Sequence, residues 1–453
     1  MQQKQWVRLL ALFAVLSLFV AACGGDTETS EPATDEASAS EEDSPSEDDS
    51  ATEEDSPSDD ESAAAGGGDG VLTVGTLLPQ TGSLAFLGPP MTSGVDLAVG
   101  EINEAGGVLG EDVTVSQGDS GDTTTDIASQ TTDRLLSENA DVIVGAASSG
   151  VSLTVIDTIT GAGVIHFSPA NTAPEFTDYD DNGLYFRTAP SDVLQGSILG
   201  EVIVEDGNAT VGVLALQDPY GEGLAGFLTD SLESSGATLA PAEPIIYDPQ
   251  APNYDAEVQQ IASENPDAIV VIGFDESARI ITSMIAAGVG PADKAVYGVD
   301  GNIGNALGEQ FANTPGALEG MKGTTPLTEL SEDFRTRLLE VDPALVDFNY
   351  SAESYDAVIV SALAAEVAQS DDPVAMAEVL ADVTREGEAC TDYAACLAII
   401  SEGGDIDYDG QSGPIELSDA GDPQQASFGI LQYNAENAID ETLTEFRLAE
   451  VSE

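Results

Sequence analysis

The chain of 453 residues has one histidine, His166, only 11 Lys and Arg, three cysteines and one tryptophan. A single histidine excludes most His-based metal sites, catalytic triads and proton shuttles. Eleven bases against 83 Asp and Glu leave a formal net charge of -72. No basic stripe remains for nucleic acid, whose phosphates such a chain repels, or for adsorption to anionic lipid. No glycine-rich GxGxxG follows the first strand pattern, no GxxxxGK[ST] occurs, and no GxSxG elbow is present. P-loop and α/β-hydrolase chemistry therefore lack their signatures, and the dinucleotide fingerprint fails after the first strand. Neither an enzyme nor a resident cofactor or metal is expected.

Beyond residues 9–20, no apolar run approaches the about 18 residues that suggest a membrane span. That short run follows Lys4 and Arg8 and ends in Val20-Ala21-Ala22-Cys23. Residues 1–23 read as a targeting segment. The ending resembles the lipobox of bacterial lipoproteins, which implies cleavage before Cys23, a lipid on its thiol and an extracytoplasmic, membrane-anchored chain. The alternative is an ordinary secretory signal with an incidental cysteine. Residues 24–70 hold 18 of the acids, no Lys, no Arg and no aromatic residue. Burial there cannot offset chain entropy, so a disordered acidic linker is expected. A flexible chain of that length spans roughly 40 Å.

From residue 71 onward 65 acids face nine bases. So acidic a surface repels itself unless it is screened, which suggests a salty, halophilic setting. A lineage-wide compositional bias is the alternative. Cys390 and Cys396 lie six apart in CTDYAAC. In an exported chain this spacing predicts an intramolecular disulfide, and the further soft ligands that a metal site needs are missing.

Apolar strand patterns alternate with helical spacing. Strands are expected at 71–78, 112–116, 140–144, 164–168, 210–215, 267–272 and 295–298, with helices at 91–105, 124–136, 149–160, 221–234, 254–263, 276–287, 352–369 and 373–384. Residues 404–433 read as closing strands and turns. The DIDYDG stretch resembles a calcium loop in spacing, with Glu416 at its twelfth position, and reads as turns between closing strands. The alternation implies parallel sheets flanked by helices, and two such blocks imply two Rossmann-like lobes.

In open parallel sheets, ligands bind beyond the carboxyl ends of strands. The segments there are PQTGSLAFLG (79–88), Ser148-Ser149, SPANTAPEFT (168–177), QDPYGEG (217–223), Gly273-Phe274-Asp275-Glu276 and Asp300-Gly301-Asn302. The first block offers hydroxyls and amides, and the second offers aromatics and carboxylates. Facing each other, they suit a zwitterion.

These segments, with VGTLLPQTG and DIDYDGQSGPIELSDAGDP (405–423), resemble the type I periplasmic binding proteins, and among them the leucine/isoleucine/valine-binding family. The likeness runs over nearly all of 71–440. It implies an α/β fold of two lobes joined by three crossovers, closing like a hinged clamp. The expected lobes are 71–188 with 325–425, and 189–324 with 426–450. The resemblance further implies a solute-binding protein of an ABC importer, working as a monomer with membrane permease subunits on a branched-chain or other hydrophobic amino acid. Binding of amides, urea or another polar metabolite, or service as a sensing module, are the alternatives. Carried over residue by residue, Ser149, beside Ser148, donates to the ligand carboxylate, and Ala170 and Thr172 contact the same head group. Tyr220 closes over the ligand. Phe274 stands where the family often has tyrosine. Asp300 stands where amino-acid binders often carry glutamate, and Phe86 and Leu87 form an apolar wall. For single residues, Ser149 could instead be a helix cap, and Asp275 and Glu276 read as solvated or capping. His166, inside an apolar strand, reads as a core or hydrogen-bonded histidine.

Overall fold

The computed structural model describes residues 68–451. The lipobox reading at Cys23 and the linker reading up to residue 67 lie outside them. The first lobe is built on a parallel sheet of five strands: β1 (Thr73–Leu77), β2 (Thr114–Ser116), β3 (Val142–Gly145), β4 (Ile165–Ser168) and β5 (Tyr185–Arg187), ordered β2-β1-β3-β4-β5. Val74 pairs with Val142 and Ile143 with His166. β3 and β4 are buried along their whole length, as strands covered on both faces must be, hence their continuous apolar runs. α1 (Gly88–Glu104), α2 (Ile127–Ser137) and α3 (Ser149–Gly161) make the crossovers.

The chain then passes through residues 188–191 into α4 (Asp192–Glu205) and β6 (Thr210–Leu216) of the second lobe. α5 (Pro219–Ser234), β7 (Thr238–Leu239), β8 (Ile245–Tyr247), α6 (Asp255–Glu264), β9 (Ala268–Ile272), α7 (Ser277–Ala287), β10 (Ala295–Gly298), α8 (Asn305–Gln310) and β11 (Lys322–Pro326) follow. The chain returns to the first lobe with α9 (Glu332–Val341), α10 (Ser351–Ala368), α11 (Pro373–Leu380), β12 (Glu388–Cys390), α12 (Tyr393–Ser401), β13 (Ile406–Gly410) and β14 (Gly413–Pro414). A last crossing leads to β15 (Gln425–Gln432) and β16 (Glu445–Glu450). The second sheet is ordered β16-β15-β11-β10-β9-β6-β7, with β8 also on β6. β15 and β16 join it antiparallel, so this sheet is mixed where alternation alone suggested parallel strands.

α10 is buried nearly all round between α1, α11 and α12. Its Asp356 explains the DIDYDGQSG stretch. The carboxylate accepts from the Tyr408 hydroxyl at 2.7 Å and from the Gln411 and Ser412 amides at 3.0 and 2.7 Å. The turn after β13 is thereby folded onto α10. Cys390 and Cys396 are joined by a disulfide between the end of β12 and α12. No helix among the described residues is long and apolar enough to cross a membrane.

Two connections tie the crossovers down. Thr188 donates to the Glu353 carbonyl at 2.8 Å. Arg187 pairs with Asp422, in the third crossover, at 2.6 Å. Of the nine bases in the described residues, seven sit in ion pairs with acids. Arg279 and Lys294 donate to carbonyl oxygens instead.

Candidate functional site

The carboxyl ends of both sheets face one cleft. At its centre the side chains of Leu84, Leu87, Ser148, Ser149, Ala170, Thr172, Tyr220, Phe274, Asp300 and Tyr350 line one cavity, with Ala147 and Gly301. All eight positions chosen from the sequence as ligand contacts thus meet around the same space.

The first-lobe wall is made by loops whose backbone is pinned from behind. Ser148 caps α3, its hydroxyl oxygen accepting from the Val151 amide at 3.3 Å. The cap is therefore Ser148, one residue before the expected candidate Ser149. The Ser149 oxygen accepts from the Ala173 amide at 3.3 Å. Both hydroxyls keep their own hydrogens for another acceptor. The segment after β4 is held by Asn171, which donates to the carbonyls of Ala146 and Ala147, both at 3.0 Å, and accepts from Tyr185. Arg187 donates to the carbonyls of Asn171 at 3.2 Å and Ala173 at 2.9 Å. The N-terminus of α3 adds a partial positive charge, so this wall suits an anionic group.

The second-lobe wall has the opposite character. Asp218 caps α5 through the Gly221 amide at 2.9 Å and so orients Tyr220 in the first turn. The Tyr220 and Phe274 rings are stacked, 5.5 Å apart and 8° from parallel. The Tyr220 hydroxyl donates to Asp300 Oδ1 at 2.7 Å, and Tyr350 donates to Oδ2 at 2.8 Å. Gln195 Nε2 also reaches Oδ1, at 2.9 Å. Burial raises the pKa of Asp300 above the ordinary carboxyl range, and these donors pull it back in part. No Lys or Arg side chain lines the central cavity, so its negative end is not neutralised by a neighbouring base. Gly301 is required beside Asp300. A Cβ there would lie 2.7 Å from the Gly273 carbonyl oxygen and 3.1 Å from the Tyr220 hydroxyl.

The central cavity is narrow, about 10 Å³, room for about one water. Cavities of about 280 and 230 Å³ flank it along the cleft. They meet it at Phe274, which lines all three. Leu87 lies on the central cavity, whereas Phe86 lines the neighbouring one with Ala306 and Leu307. A ligand larger than water enters the centre only if the walls part, which two lobes on slender crossovers allow.

Two side readings are refined. Asp275 is exposed, but Glu276 is buried rather than solvated. It accepts from the Tyr247 hydroxyl at 2.8 Å and from the Phe274 amide at 3.0 Å, which fixes the backbone under that ring. His166 is buried in β4, edge-on to Tyr185 at 5.2 Å, and burial lowers its pKa to about 4.

A family described as periplasmic binding protein matches residues 71–396. The chain belongs to that family.

Among relatives of this periplasmic binding protein is the chemotactic signal transduction system substrate-binding protein BasB of Halobacterium salinarum. It is 28% identical over 372 residues, covering 78% of this chain and 84% of that one. Leu/Ile/Val-binding protein homolog 1 of Brucella abortus is 26% identical over 316 residues, covering 68% and 81%. The fold matches the branched-chain amino acid transporter substrate-binding protein LivJ of Streptococcus pneumoniae, solved with isoleucine. The TM-score is 0.66 at 22% identity, covering 84% of this chain and 100% of that one. The relatives are binding proteins rather than enzymes, and family membership implies an extracytoplasmic location.

Several residues of this binding protein's cleft escaped sequence reasoning. Tyr350 stands just before α10 with φ of 60°. A left-handed tyrosine is strained backbone and persists only where its surroundings hold it. Here the bond to Asp300 holds its hydroxyl. Gln195 and Asp192 lie on α4, which falls between the two blocks of expected elements. Leu84 and Gly301 were within reach, because both sit in the strand-end segments already singled out.

Proposed function

We propose that this periplasmic binding protein takes a branched-chain or other hydrophobic amino acid into the interlobe cleft and hands it to the permease of an ABC importer. The carrying observation is the polarity of the one cavity. Hydroxyls and a helix N-terminus stand on one wall, and Asp300 with an aromatic pair stands on the other. In this reading Ser149, Thr172 and the Ala170 amide hold the ligand carboxylate, with Ser148 beside them. Asp300 takes the ammonium, and Tyr220, Phe274 and Leu87 cover the side chain. Aspartate is one methylene shorter than glutamate, so the head group sits deeper or is bridged by water.

The lobes are 71–188 with 325–425, and 189–324 with 426–450. They move about the crossovers as a monomer, and the closed shape is what the permease meets. Lipid on Cys23 tethers the chain to the membrane through the acidic linker. Isothermal titration with branched-chain and small amino acids, amides, urea and benzoate tests the ligand class. Binding by a hydrophobic amino acid alone is expected, and no heat from any amino acid would sink the reading. Mass spectrometry of the membrane-bound protein, with Cys23→Ala released to the medium, tests the anchor.

A second reading is favoured by one relative, the substrate-binding protein of a chemotactic system. There the loaded protein addresses a receptor instead of a permease. Deleting the gene and measuring uptake against chemotaxis separates the two.

A further inference from the structure

Three buried acceptor oxygens behind the cavity wall have no donor. Asp192, in the first turn of α4, is fully buried and neither of its carboxyl oxygens is hydrogen-bonded. Oε1 of Gln195, on the next turn, is unpaired as well. Asp300 by contrast receives Tyr220, Tyr350 and Gln195. The two carboxyls are neighbours. The Asp192 amide donates to the Thr172 carbonyl at 2.8 Å, Thr172 lines the same cavity as Asp300, and Gln195 reaches from the helix of Asp192 to Asp300.

Asp192 feels Asp300 after β10, Asp218 before α5 and Arg187 on β5, with the hydroxyls of Tyr220 on α5 and Tyr350 before α10. Arg187 is the one cation among them, and its charge is already matched by Asp422. Two unscreened carboxylates side by side away from water are costlier than one carboxylate and one acid. Asp300, with three donors, keeps its charge, and Asp192, with none, is where a proton settles. Burial first, and then the charge of Asp300, push Asp192 well above the ordinary carboxyl range. The Thr172 hydroxyl offsets this in part without reaching hydrogen-bonding geometry on either oxygen.

We infer that Asp192 and Asp300 form a carboxyl pair holding one proton in the ligand-free cleft, and that a cationic group arriving beside Asp300 drives that proton from Asp192 to solvent. This deepens the reading in which Asp300 meets the ligand ammonium, and it rests on that reading. The O–H bond of Asp192 is the only bond broken, and water or buffer takes the proton. The cation lowers the pKa of Asp192, so up to one proton leaves on binding. Affinity then rises with pH between the bound and free values.

The test has a ligand-free arm and a binding arm. Carboxyl carbon NMR of the ¹³C-aspartate-labelled protein, with Asp192→Asn to identify the signal, should find Asp192 protonated at neutral pH. Titration with L-leucine in phosphate and in Tris should give heats that differ by the ionisation of up to one proton. Affinity should rise by up to about tenfold per pH unit within the window, and both effects should vanish in Asp192→Asn. An ionised Asp192 in the free protein overturns the inference. Equal heats in the two buffers, or proton release that survives Asp192→Asn, overturn it too. Should Asp192→Asn not fold, Asp192→Ser identifies the signal, and the two-buffer titration needs only the wild type. Failure of leucine, isoleucine and valine to bind would count against the amino-acid reading, whereas the ligand-free signal decides the proton pair by itself.

Discussion

The first-lobe wall of the cleft is made of small side chains on loops, and its rigidity comes from behind. Arg187 is fully buried, and its guanidinium joins Asp422, Thr177 and two loop carbonyls. The second-lobe wall carries its own chemistry at the front, where Tyr220, Phe274 and Asp300 support one another directly. A wall of backbone donors cannot brace itself, because each donor must stay free for the ligand. A wall of rings and a carboxylate braces itself through the groups it presents. Damage behind the first wall should therefore appear as lost stability, and damage on the second as lost affinity.

The largest effect is expected from Arg187→Ala, which strands the Asp422 carboxylate and two carbonyls. Loss of about 3–5 kcal/mol of stability is expected, read by urea unfolding. A near-neutral result would mean the loop is held by Asn171 alone. Next is His166, below the same wall. Its pKa is lowered to about 4 by burial from an ordinary value of about 6.5, so the unfolded chain takes up its proton first as pH falls. The contribution is complete above about pH 6.5, and about 3 kcal/mol is lost on the way down to the folded value. Raised carboxyls such as Asp218, at about 6 from burial, act with the opposite sign. The measurement is therefore the difference in unfolding free energy between wild type and His166→Gln across that range, and a flat difference would refute it. On the second wall, Asp300→Asn should weaken amino-acid binding by about 1–3 kcal/mol through loss of a charge-assisted contact, with little loss of stability. Titration calorimetry beside a melting curve separates the two. Smallest is Ser148→Ala, which should cost about 1 kcal/mol as a lost helix cap; no change in melting would assign the α3 start to other contacts.

Most of this division was legible in the sequence, for a physical reason. Strands such as 142–145 and 268–272 are buried on both faces and betray themselves as apolar runs. The residues after them then become candidates by position alone, which brought Ser149, Thr172, Tyr220, Phe274 and Asp300 together. α4 was missed although its spacing is helical. Leu194, Ile198, Leu199, Val202 and Ile203 are buried, and Ser197, Glu201 and Glu205 are exposed at intervals of four. The segment falls between the two alternating blocks and carries Gly196 and Gly200 where α5 packs close. A Cβ on Gly196 would lie 2.8 Å from the Leu228 nitrogen. Asp192 and Gln195 were lost with it. Tyr350 was lost because it precedes a helix rather than follows a strand. β11, β15 and β16 were passed over or blurred for want of uninterrupted apolar character; Lys322–Pro326 reads KGTTP.

The pairing with acids of seven of the nine bases among the described residues has a consequence beyond stability. With the other two bonded to carbonyls, a visitor from solvent meets carboxylates nearly everywhere. Any surface that docks on this protein must bring its own cations, as protruding lysines and arginines or as a shared layer of dissolved metal ions, and raising the ionic strength should loosen the first kind of contact and spare the second.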